Sequence, residues 1–162
     1  MLFRSAEVGA DIWSLTLAAD SKLQPFLEST FRKRQGRFSP DGKWVAYTSN
    51  ESGRDEVYVV PNPGPGGKTP VSTEGGTTPT WARNGRELFY RNGNKMMAVD
   101  VAAGAAFRAG APKVLFEHPG DFDVAPDGRF LMIKPAAQQV QTVELRVVVN
   151  WFEELRRRVP AK

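Results

Sequence analysis

The sequence predicts an all-β fold assembled from a repeated unit of about four strands, the architecture of a β-propeller. Three observations carry this prediction: a segment plan that recurs at a fixed interval, an interval of blade length, and an abundance of turn residues. Residues 38 to 47 read FSPDGKWVAY, residues 81 to 90 read WARNGRELFY, and residues 124 to 133 read VAPDGRFLMI. Each begins with an apolar residue (Phe38, Trp81, Val124), continues through a four-residue turn ending in Gly (Gly42, Gly85, Gly128) and a basic residue (Lys43, Arg86, Arg129), and enters an apolar run. Successive copies stand 43 residues apart. A period of roughly 40–45 residues without a helical pattern is that of a propeller blade. Fifteen Gly and twelve Pro in 162 residues supply the frequent chain reversals of a meander, which a helical bundle does not need.

The turns have a physical basis. Asp41-Gly42, Asn84-Gly85 and Asp127-Gly128 each set a short polar side chain, able to satisfy nearby backbone, beside a Gly that tolerates positive φ, and Pro40 and Pro126 pre-set the chain just ahead. Strands follow around them. Asp11 to Leu15 and Leu23 to Leu27 read as the outer two strands of an incomplete blade over residues 1–30. Residues 31–75 read as a whole blade: Trp44 to Thr48, a loop from Asn50 to Asp55, Glu56 to Val60, a Pro/Gly linker from Pro61 to Gly67, and a short strand near Thr69 to Thr73. Residues 76–118 read as a second, through Leu88-Phe89-Tyr90, the turn Asn92-Gly93-Asn94, Lys95 to Val101, and Lys113 to Phe116. Residues 119–149 form a further incomplete blade, from Asp121 to Val124 through Arg129 to Lys134 to a strand over Thr142 to Val149. The period then changes. Residues 150–159 predict a short helix, with Asn150 as cap, Glu153 at the capping-box position, and an apolar stripe of Trp151, Leu155 and Val159 that would pack on the sheet. The sequence thus describes one partial propeller of about three to three-and-a-half blades.

Composition sets limits. A hydrophobic share of 41% with 25% charged residues is that of a globular chain. A net charge of +4 is a small surplus on this length, and no nucleic-acid partner is expected from it. Cysteine is absent, which removes disulfides, thiolate nucleophiles and thiolate metal sites. Residues 1–10 lack a signal-peptide core, and no apolar run approaches the ~20 residues of a membrane span, so the chain as written reads as soluble and cytoplasmic.

From Ser39 to Gly53 the sequence SPDGKWVAYTSNESG resembles the TolB-like propeller repeat. The whole chain is similar to the C-terminal propeller of the eukaryotic-type serine/threonine kinases of acidobacteria, through Asp11-Ile12-Trp13, residues 63–67, residues 81–90, Lys95-Met96-Met97, residues 130–135 and the closing Asn150-Trp151-Phe152-Glu153-Glu154-Leu155. That resemblance implies a sensing or interaction domain outside the cytoplasmic membrane. Kinase activity does not carry over, because no Gly-rich nucleotide loop, His-Arg-Asp or Asp-Phe-Gly is present.

An open stack of blades leaves apolar faces and strand edges bare, so two chains are expected to associate head to tail into a ring of about six blades. The function expected is a non-catalytic module binding a protein, peptide or small ligand at the channel, with no cofactor and no metal. Its candidate residues are those of the loops between blades and between second and third strands: Arg32, Arg34, Asn50, Arg54, Thr77, Arg91, Asn92 and His118. The alternative is a small serine hydrolase of esterase type with His118, the single histidine, as base; no Gly-x-Ser-x-Gly elbow accompanies it. Asp121 with Asp123 and Asp55 with Glu56 read as solvated carboxylates, and Arg32-Lys33-Arg34 as a solvated rim. Trp44, Tyr47, Tyr58, Trp81, Phe89, Tyr90 and Phe130 recur at like positions and are expected to pack between blades.

Overall fold

A computed structural model describes residues 11–17, 21–64, 66–104 and 106–133. The strand expected over 142–149 and the helix expected over 150–159 lie outside the described residues. Within them every regular element is a β-strand, gathered into four antiparallel sheets in chain order. The first sheet pairs β1 (Ile12–Thr16) with β2 (Lys22–Leu27). The second runs β3 (Lys33–Phe38), β4 (Trp44–Ser49), β5 (Glu56–Pro61) and β6 (Thr69–Pro70), each strand beside its chain neighbour. The third contains β7 (Thr77–Trp81), β8 (Glu87–Asn92), β9 (Lys95–Ala103), β10 (Phe107–Ala109) and β11 (Lys113–Glu117). The last pairs β12 (Phe122–Val124) with β13 (Phe130–Met132).

The repeated turns form as their residues require. Gly42, Gly85 and Gly128 take positive φ of 70°, 67° and 85°. Asp41 Oδ1 accepts from Ser39 Oγ at 2.6 Å and from the Lys43 amide at 3.2 Å, and these bonds, Ser39 first, hold its carboxyl below the usual carboxylate range. Asn84 and Asp127 accept from the Arg86 and Arg129 amides in the same way, at 2.9 and 3.2 Å. One side chain per turn therefore does the same local task.

Sheet faces stack on one another, and the core lies between them. One cluster joins Trp44, Ala46, Val57 and Val59 of the second sheet to Trp81, Leu88, Tyr90, Met97 and Val99 of the third. A second joins Val45, Tyr47, Tyr58 and Val60 to Ile12, Phe26 and Leu27 of the first sheet. The third joins Ala82, Phe89, Met96 and Ala98 to Phe116, Phe122, Val124 and Phe130. Because the second sheet is covered on both sides, all six residues of β4 are buried, which explains why Trp44 to Tyr47 run apolar instead of alternating. The seven aromatic residues expected between sheets are all found there. Burying a side chain such as Leu88 or Val99, both fully enclosed, is worth roughly 1.5–3 kcal/mol.

Two features depart from the sequence reading. The outer edge of β9 is shared by two strands: β10 pairs with Val101 to Ala103, β11 with Lys95 to Ala98. β10 was not expected, because Ala, Gly and Arg around Phe107 carry no strand pattern. Tertiary packing decides it: Phe107 enters the first cluster, its ring 5.4 Å from Trp44 and 6.1 Å from Trp81. The second departure is one of register. Phe38 pairs with Val45 and Trp81 with Leu88, but the third copy pairs Val124 with Phe130, one residue early. The run Phe130-Leu131-Met132-Ile133 is apolar at every position, so hydrophobic pattern does not choose between registers. Aromatic contact does. Phe130 sits edge-on to Phe89 at 5.0 Å and Phe116 at 5.2 Å, while Leu131 and Ile133 are 72% and 65% exposed. Trp13, Leu15 and Leu23 are likewise exposed on the first sheet.

Candidate binding face

The first strands of the second and third sheets, β3 and β7, carry matching irregularities. Gln35 and Thr78, one repeat apart, adopt φ of 57° and 55° within register shifts of their strands. A β-branched residue in this region is uncommon and costs of order 1–3 kcal/mol unless its surroundings fix it. Here they do. Gln35 Oε1 accepts from the Thr78 amide at 2.9 Å and from Thr48 Oγ1 at 3.0 Å, and Gln35 Nε2 donates to Thr78 Oγ1 at 3.1 Å. The two bulges are thereby tied across the gap between sheets. Trp81 Nε1 adds a bond to the Arg37 carbonyl at 3.1 Å.

The eight candidate residues stand at the end of the sheets opposite the Asp-Gly turns. Arg32 precedes β3 and Arg34 lies within it; both guanidinium groups engage Asp55, Arg32 at 3.5 Å. Asn50 Oδ1 accepts from the Arg32 amide at 2.9 Å, closing the loop between β4 and β5 onto the strand entry. Arg54 Nε lies 3.0 Å from Glu56 Oε1, and its Nη2 donates to the Thr73 carbonyl at 3.0 Å. Thr77 opens β7 opposite Arg91. The Arg91 guanidinium donates to four carbonyls, those of Gly93 and Pro119 at 3.1 Å, Gly120 at 3.0 Å and His118 at 3.4 Å, pinning the connector between β11 and β12. Asn92 Nδ2 donates to the Glu74 carbonyl at 3.2 Å. His118 Nε2 is 2.9 Å from the Ile133 carbonyl. The structure thus forms two groups, one around Asp55 and Glu56 and one around Arg91, and in both the polar atoms hold loops in place.

Two residues read as solvated from sequence are not. Glu56 is 2% exposed, bonded to Arg54, to the Gly75 amide at 2.9 Å and to Ser72 Oγ, whose oxygen in turn accepts from the Val57 amide at 2.8 Å. Lys33 is 5% exposed, its ammonium on Ser29 Oγ. Asp121, just before β12, and Asp123 within it are both exposed, and Asp123 Oδ1 accepts from the Val124 amide at 2.8 Å. Among the described residues no group of three metal-ligating side chains occurs. At the opposite end a cleft of about 680 Å³ opens between the turns of the second and third sheets, lined by Pro40, Asp41, Asn84, Arg86, Asp100 and Gly104. Sequence reasoning did not nominate it, although the 43-residue spacing of the turns that form its walls was visible.

No protein-family model and no curated protein matches the chain. Its fold is that of a TolB-like β-propeller. A solved structure assigned as TolB of Agrobacterium tumefaciens is similar over 75% of this chain and 48% of that one, with a TM-score of 0.56 and 16% identity, so this chain spans about half the length of that protein. Among the described residues no helix is long and apolar enough to cross a membrane.

Proposed function

We propose that the protein is a non-catalytic β-propeller module that completes a ring of about six blades with a second copy and binds a protein, peptide or small ligand over the axial opening. The complementarity of its two ends carries this reading. By the 43-residue repeat, β1 and β2 occupy the places of the third and fourth strands of a blade, and β12 and β13 those of the first and second, ahead of the strand expected over residues 142–149. Two copies joined head to tail would set each C-terminal incomplete blade against the β1–β2 pair of the other, giving about six blades with the four whole ones. Association would cover Trp13, Leu15, Leu23, Leu131 and Ile133, which a lone chain leaves exposed. Arg32, Arg34, Asn50, Arg54, Thr77, Arg91, Asn92 and His118 would surround one mouth of the channel, on loops fixed by the bonds described above. The resemblance to kinase-associated propellers fits a sensing role. Size-exclusion chromatography with light scattering tests the assembly: a mass of twice 17.9 kDa at micromolar concentration is expected, and a monomer throughout that range overturns it.

A further inference from the structure

In a propeller the innermost strands of successive blades stand side by side around the axis. Among the described residues these are β3, β7 and β12. β3 meets β7 at one position of the repeat: Gln35 Oε1 accepts from the Thr78 amide at 2.9 Å, and Gln35 Nε2 donates to Thr78 Oγ1 at 3.1 Å. Beside it the Arg37 carbonyl accepts from Trp81 Nε1 at 3.1 Å, and Trp81 is 8% exposed. The joint is directional. The earlier strand supplies an acceptor side chain, and the later one supplies an amide turned outward by a bulge together with an aromatic ring to be covered.

The two ends of this series carry the unused halves of the joint. At the late end Asp121, 43 residues beyond Thr78, stands at the position of Gln35, and its carboxylate is exposed and has no partner among the described residues. At the early end Gln35 shares the bulge of Thr78 and nearly its φ, 57° against 55°, so its amide takes the same outward direction, and no side chain among the described residues accepts from it. Phe38 holds the position of Trp81 and Val124. Those two pack on the sheet before them, whereas Phe38 is 59% exposed. Charge follows the same order: β3 presents Arg34 and Arg37, β7 carries no charge, and the start of β12 presents Asp121 and Asp123.

The strand expected over residues 142–149 takes the third place of its blade, on the side of β13 away from β12, and β1 and β2 hold the third and fourth places of theirs. None of these strands stands between β12 of one copy and β3 of another. We propose that β12 of one copy seats against β3 of a second copy as β3 seats against β7 within a chain, with the Asp121 carboxylate accepting from the second copy's Gln35 amide and the second copy's Phe38 buried at the contact. This rests on the six-blade reading and names the contact that specifies it. Asp121 is one methylene shorter than Gln35, and a donor lies closer to a carboxylate than to a neutral oxygen, so the seam between copies is drawn tighter than the seam within a chain. Pairing of like ends sets arginine beside arginine or carboxylate beside carboxylate, which leaves head to tail as the favoured order.

A closed pair contains this seam twice. The assay is the midpoint of dimer dissociation, read by sedimentation across a dilution series of the full chain. Asp121 and Phe38 are exposed in the lone chain, so at concentrations where wild type is monomeric their variants should melt with it. Loss of a charge-assisted bond is worth about tenfold at each seam, so Asp121→Ala should raise the midpoint about a hundredfold, and Phe38→Asp, which sets a third carboxylate beside Asp121 and Asp123, at least as much. Asp121→Asn keeps an acceptor without the charge and should fall between, with a weaker dependence on salt than wild type. Glu117→Ala, removing an exposed carboxylate of the outer strand β11, should leave the midpoint unchanged. Dimerisation of Asp121→Ala or Phe38→Asp at the wild-type midpoint overturns the seam and leaves the six-blade reading intact. A wild type that stays monomeric at all concentrations removes the six-blade reading, and the seam with it.

Discussion

Replacing Glu56 by Ala separates a carboxylate that holds the fold from one that serves a ligand. Glu56 is 2% exposed and accepts from the Gly75 amide, Ser72 Oγ and Arg54. Removing it strands a backbone amide and a hydroxyl in the interior, and hydrogen bonds to a buried charge are worth about 1.5–3 kcal/mol each. The Arg54 contribution is small because its side chain is 63% exposed, and pairs of that kind contribute about 0–1 kcal/mol. The expected loss is about 3–5 kcal/mol, or roughly 6–20 °C in Tm for a domain of this size. Thermal and urea unfolding followed by circular dichroism measure it. Arg54→Ala should cost less than about 1 kcal/mol in the same assay. A Glu56→Ala loss below that figure would refute the claim that this network closes the connector between the second and third blades.

Further outcomes follow from the same contacts. Gln35→Ala removes three hydrogen bonds, two of them between adjacent blades, and the support of Thr78 at positive φ, so a loss of about 2–3 kcal/mol by urea unfolding is expected, and Gln35→Glu should recover more than half of it because only the donor to Thr78 Oγ1 is gone. Burial, with Glu56 and Glu74 nearby, pushes the Tyr90 hydroxyl up to about 12. A folded value above the unfolded one of about 10 means that the folded chain keeps a proton the unfolded chain loses, so stability is full below pH 10 and falls between pH 10 and 12, by on the order of 2–3 kcal/mol. The urea midpoint should fall from about pH 9 to 11.5 and fall less in Tyr90→Phe; a wild-type midpoint that stays level, or an equal fall in both, would contradict this.

The repeat was legible because it rests on residues with few alternatives: a Gly that must reach positive φ, an Asp or Asn that must cap the turn, and apolar runs buried on both faces. The face bearing the candidate residues was also readable, since strand direction and loop position follow from the order of turns. What side chains do on that face was not. Arg91 was nominated for a ligand and donates to four carbonyls, a role that depends on a connector 27 to 29 residues away in sequence. In sequence Glu56 reads as solvated like its neighbour Asp55, but strand alternation sends one inward and one to the rim. Gln35 and Thr78 carry no local sign of positive φ, because their conformation is imposed by each other. The register of β13 was hidden for the opposite reason: four apolar residues in a row give two acceptable answers, and distant aromatic rings choose.

The bond between Gln35 and Thr78 joins the same position in two successive repeats. A joint of this kind carries half its hardware on each unit, so that inserting or deleting a whole period brings a matching half to every new junction. Chains of different length could then be drawn from one pattern without redesign of their seams, and the number of units in a closed circle would be set by curvature and not by side-chain compatibility.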